Sequence, residues 1–116
     1  MLKESRYVVW CLLLGIAACL FSCRPSVKET CLMSYNIRNG RGLDDSISYT
    51  RIAEVIRRVN PDLVALQELD SMTLRSGQTY VLGELARLTG MYDVYAPAID
   101  YDGGKYGIGM LAKEKP

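Results

Sequence analysis

Asn60-Pro61-Asp62-Leu63-Val64-Ala65-Leu66-Gln67-Glu68-Leu69-Asp70 is the stretch on which the reading of this chain turns. Asn-Pro stops a helix and opens a turn. The apolar run from Leu63 to Leu66 then has strand length and suits a sheet buried on both faces. A carboxylate, Glu68, stands where that run ends. Burying it unpaired is costly, so it either leaves the core for solvent or is held at the strand end for a purpose. The stretch alone leaves both readings open.

Upstream, Ile52, Val55, Ile56 and Val59 fall at i, i+3, i+4 and i+7. That spacing predicts a helix, with Ser48 or Thr50 as its cap. Before it, Thr30 to Asn36 reads as a strand that ends on Asn36, and Ile37 to Asp45 as a loop carrying Arg38, Arg41, Asp44 and Asp45. Strand, helix, strand predicts a crossover unit in an α/β domain. Downstream, Asp70 to Gly77 reads as a polar loop containing Arg75. Leu82, Leu85, Ala86 and Thr89 mark a second helix, closed by Gly90. Tyr92 to Ala96 is a third strand, since Pro97 cannot donate within a sheet centre. Asp102-Gly103-Gly104 is a hairpin signal, and Lys105 to Ala112 a fourth strand. Cys31 lies in an apolar run and is expected to be a small buried residue.

The totals narrow the field. The 116 residues hold 14 Lys plus Arg, 13 Asp plus Glu and no histidine. That is one small domain at most. The balanced charge excludes a strong electrostatic nucleic-acid footprint over the whole chain. The absence of histidine removes the commonest general base and metal ligand together.

Residues 1–22 have the layout of a secretory signal: Lys3 and Arg6, an apolar run from Val8 to Phe21, then small residues and cysteines. The run is short for a membrane span. Leu20-Phe21-Ser22-Cys23 resembles a bacterial lipobox, with Cys23 as the lipidated residue and Cys19, after Ile16-Ala17-Ala18, as the alternative. This predicts an exported chain, anchored by lipid in the cell envelope, with residues 23–29 as a linker and 30–116 as the domain. Cleavage before Cys23 removes two basic residues and one acidic one, so the formal charge falls from +1 to zero.

Asn36 and Glu68 have no packing role, and each ends a strand of the crossover unit. In parallel sheets the carboxyl ends gather on one edge, where ligands bind. An amide and a carboxylate there suit a hard cation that takes oxygen ligands and keeps its waters. As spacing alone this is a weak signal, because Asn36 could equally cap its loop.

The motifs resemble those of the endonuclease/exonuclease/phosphatase superfamily. Met33-Ser34-Tyr35-Asn36-Ile37-Arg38 is similar to its first-strand motif, and Pro61 to Glu68 to its second. Tyr106-Gly107-Ile108-Gly109-Met110-Leu111-Ala112-Lys113 is similar to the strand that follows. The resemblance implies a four-layer α/β sandwich like that of deoxyribonuclease I, here its N-terminal half. It implies hydrolysis of phosphate esters, as a phosphodiesterase or nuclease, with Mg²⁺ or alternatively Mn²⁺. It implies Glu68 as metal ligand and Asn36 beside it, touching metal or scissile phosphate. Arg38, Arg41 and Arg75 are candidate phosphate contacts. The family's later Asp-Asn motif and terminal Asp-His pair have no counterpart here. The expectation is therefore an incomplete family member, inactive alone. The alternative is a surface lipoprotein or gene fragment that at most binds metal or phosphate. Zero charge leans toward small phosphodiesters, phospholipid heads or sugar phosphates over long nucleic acid, and no protein partner is evident.

Overall fold

In the computed structural model, residues 29–116 are described. The signal segment, the lipidation cysteine Cys23 with its alternative Cys19, and all of the linker but Glu29 lie outside them. Among the described residues no helix is long and apolar enough to cross a membrane.

Strand β1 (Leu32–Asn36) leads through a single 3₁₀ turn (Arg38–Gly40) and a loop into helix α1 (Tyr49–Val59). Strand β2 (Leu63–Ser71), helix α2 (Val81–Thr89), strand β3 (Tyr92–Tyr101) and strand β4 (Gly104–Ala112) follow. The sheet order is β1-β2-β4-β3. β1 and β2 are parallel, from Leu32 opposite Leu63 to Asn36 opposite Gln67. This is the crossover unit that the periodicity predicts. β4 runs antiparallel to both β2 and β3.

The helices begin and end where the side chains dictate. The Ser48 hydroxyl accepts the Arg51 N–H at the start of α1, which satisfies one of the unpaired donors there. Asn60 and Gly90 close α1 and α2 in the left-handed conformation. α1 buries Ile52, Ala53 and Ile56, while Val55 and Val59 are exposed. Its packed face is thus rotated toward Ala53 from the stripe expected, and α1 packs against α2.

Both helices lie on one face of the sheet. Val64, Leu66 and Leu69 of β2 and Leu111 of β4 meet Leu82 and Leu85 of α2 in a single core. A side chain at Gly109 would place its Cβ 2.5 Å from Leu82, so this glycine lets α2 approach the sheet. The other face is open: Leu32 is 70% exposed, Ile108 55% and Val94 43%. The run from Leu63 to Leu66 is therefore covered on one side among the described residues, not on both. The four-stranded sheet and its helix layer give a mixed α/β unit, the partial sandwich that the motifs imply.

Three further expectations change. Cys31 is exposed; its N–H donates to Asp62 Oδ2 at 2.8 Å, ahead of the strand and outside the core. β3 continues through Pro97 to Tyr101. It is an edge strand and shifts register beside that proline, so a missing donor disturbs little. Asp70 belongs to β2, not to the loop, and is only 1% exposed.

Candidate metal and phosphate site

The site begins with an irregularity in β2. Leu66 pairs with Gly109 and Leu69 with Gly107, so Gln67 and Glu68 together face the single residue Ile108. This is a β-bulge, and Glu68 sits in it at φ 62°. A side-chain-bearing residue resists that left-handed conformation by about 1–2 kcal/mol. Two consequences follow from the extra residue. Val64, Leu66 and Leu69 all face the helices, although regular alternation would turn Leu69 away. And Glu68, which in a regular pleat would not share the face of Asn36, is brought beside it: Asn36 Nδ2 donates to Glu68 Oε1 at 2.8 Å. Asn36 is itself oriented, because its Oδ1 accepts the Arg38 N–H at 2.9 Å.

Asn36 is exposed and Glu68 half-buried. Glu68 does not end its strand as the sequence suggests, since β2 runs on to Ser71; the end of β1 and the bulge of β2 together hold an oriented carboxylate within reach of solvent. Among the described residues no three histidine, cysteine, aspartate or glutamate side chains gather as metal ligands. One oriented carboxylate that leaves the other positions to water and substrate is a donor set compatible with Mg²⁺, which is commonly held by one or two carboxylates and keeps several waters.

Beside this pair runs a groove of about 480 Å³ lined by Asn36, Arg38, Arg41, Arg51, Leu43 and Val55 among others. Its cations differ in how firmly they are held. Arg51 forms two hydrogen bonds with Asp44, at 2.8 and 3.2 Å, and Arg51 with Ser46 holds the Asp44 carboxyl well below the usual carboxylate range. Asp44 therefore ties the loop to α1. Arg38 lies 3.7 Å from Asp45, with 59% of its side chain exposed, and Arg41 Nη1 donates to the Asp45 carbonyl at 3.0 Å. These two keep donors for a ligand.

Arg75 does not join them. Nε and Nη2 grip Asp70 at 2.8 and 2.9 Å. Nη2 also donates to Asn39 Oδ1 at 2.8 Å, and Nη1 to the Tyr101 hydroxyl at 3.3 Å. Four of the five guanidinium donors are engaged. Its Cζ lies 4.5 Å from the Tyr101 ring centroid and 5.4 Å from that of Tyr106. The structure thus places Arg75, a candidate phosphate contact, with most of its donors already engaged by protein groups. Tyr106 stands opposite Asp70 in the sheet, and burial, helped by the Glu68 charge, pushes its phenol up. Sequence reasoning missed this cluster. Asp70 reads as the first residue of a loop, and no spacing rule joins it to tyrosines of a later hairpin.

A model of the endonuclease/exonuclease/phosphatase family matches residues 33–116. The chain belongs to that family. Among solved structures, the endonuclease/exonuclease/phosphatase from Beutenbergia cavernae DSM 12333 matches with a TM-score of 0.57 at 19% identity. The match covers 74% of this chain and 26% of that one, so this chain spans about a quarter of its length. At that identity the likeness is one of fold. Comparison with curated proteins gives no match.

Proposed function

We propose that Asn36 and Glu68 form part of the site of a divalent-metal-dependent phosphoesterase, a phosphodiesterase or nuclease. One observation carries this reading: a bulge holds Glu68 at φ 62° with its carboxylate on the Asn36 amide, and backbone strain of this kind clusters at functional sites. Family membership supports the hydrolytic class.

Glu68 would hold Mg²⁺ or Mn²⁺. Such an ion, when bound, polarises a phosphoryl oxygen and offsets charge on the leaving oxygen. Asn36 orients the carboxylate and, through the groove it shares, faces the phosphate. Arg38 and Arg41 attract the anionic ester along that groove. The 116 residues include no histidine, so the family's proton-transfer histidine has no counterpart among them. Export and a lipid on Cys23 would place the site at the cell envelope, near small phosphodiesters or lipid heads. Loss of fatty-acid labelling in Cys23→Ala checks the anchor; labelling that persists moves it to Cys19.

The test uses the full chain in detergent, titrated with Mn²⁺ and followed by electron paramagnetic resonance. Saturable binding that Glu68→Gln abolishes supports the site, and binding indifferent to that change overturns it. Bis(p-nitrophenyl) phosphate is expected to remain intact. Robust turnover lost in Glu68→Ala would show that these residues suffice for catalysis.

A further inference from the structure

We propose that Arg75 is a positioning residue, the strut that holds Asn36 and Glu68 within hydrogen-bonding distance of each other. Asn36 ends β1 and Glu68 sits in the bulge of β2, and each is followed by a residue that Arg75 grips. Asn39 lies three residues beyond Asn36 and accepts Arg75 Nη2 at 2.8 Å. Asp70 lies two residues beyond Glu68 and takes Nε and Nη2 at 2.8 and 2.9 Å. One planar group thus bridges the segments that follow both site residues. Both segments carry left-handed backbone, at Arg38, Asn39 and Glu68, which persists only where surrounding contacts over-determine it.

Arg75 is itself fixed from three sides. Its N–H donates to Asp102 Oδ2 at 2.7 Å. The rings of Tyr101 and Tyr106 lie against its guanidinium. The side chain is 32% exposed while Asp70 beneath it is 1% exposed, so the fork closes over a carboxylate that has left water. Lysine cannot replace it, since a point charge does not span Asp70 and Asn39 in fixed geometry.

The experiment compares the wild-type full chain in detergent with Arg75→Lys and Asn39→Gly, and with Arg87→Ala as a control that removes a surface cation. Asn39→Gly removes only one arm of the strut and suits the backbone at φ 55°. Two readouts are taken at matched folded content by circular dichroism: the Asn36 side-chain amide resonances in ¹⁵N-labelled protein, and Mn²⁺ affinity. In Arg75→Lys the Asn36 amide signals are expected to move to free-amide positions and Mn²⁺ affinity to fall about 10-fold, the low end for loss of an orienting partner. Asn39→Gly shifts both in the same direction by less, and Arg87→Ala shifts neither. Unchanged Asn36 signals in both Arg75→Lys and Asn39→Gly overturn the proposal. The metal arm rests on Glu68 being a ligand, whereas the amide arm does not. If the wild type shows no Glu68-dependent Mn²⁺ binding, that reading fails and the amide signals alone decide the role of Arg75.

Discussion

Leu63 to Leu66 and Gln67 to Ser71 are two halves of one strand. In the first, pairing with both neighbours is unbroken, and Val64 and Leu66 are fully enclosed under the helices. In the second, two residues share one partner, a carboxylate sits at positive φ, and an aspartate is enclosed against an arginine. The first half stabilises the sheet with ordinary side chains at ordinary angles. The second spends some of that stability on aiming Glu68. A bulge separates the two tasks, because it turns Glu68 toward Asn36 while bringing Leu69 onto the helix face with Val64 and Leu66.

Substitutions can break this contrast. Leu66→Ala is expected to cost about 2–5 kcal/mol, as a buried leucine truncation does, read from denaturant unfolding; a loss under 1 kcal/mol would mean that the first half does not anchor the fold. Glu68→Gly should divide the two tasks. Relief of left-handed strain, about 1–2 kcal/mol, offsets a lost hydrogen bond of about 1 kcal/mol. Unfolding free energy should therefore stay within about 1 kcal/mol of wild type while Mn²⁺ binding disappears. A large destabilisation would make the bulge a structural necessity. On the open face of the same sheet, Ile108→Ala is expected to change stability by no more than about 0.5 kcal/mol, and a larger loss would show that this face is covered in solution.

The smallest effect concerns pH. Burial, helped by the Asp70 charge, pushes the phenols of Tyr49 and Tyr95 up. The unfolded chain ionises its tyrosines near pH 10. Stability from these groups is thus fully present below about pH 10 and is lost as pH rises through their folded values. A denaturant midpoint that is flat from pH 8 to 9.5 and falls by pH 11 is the expected outcome.

The regular half was legible in the sequence and the irregular half was not, for a physical reason. Apolar periodicity reports burial, so Leu63 to Leu66, both helices and the parallel pairing follow from it. Asn36 and Glu68 stood out because no packing role absorbed them. But no residue near Glu68 signals a left-handed bulge, which glycine would have done. Asp70 and Arg75 read as loop residues because what encloses them is Tyr101 and Tyr106, some thirty residues later. The one-sided cover of the sheet was illegible too, since Leu32, Ile108 and Met110 are as apolar as the residues that are packed.

Pro97, which interrupts the outermost strand, also bears on how this chain behaves among copies of itself. β3 is ten residues long and, among the described residues, pairs with β4 alone. A strand of that length with one free side is a template on which other chains stack into fibrils. A proline in its middle removes one backbone donor from the strand, beside a register shift. The same residue that shortens the strand in a sequence reading thus makes this edge a poorer template for stacking.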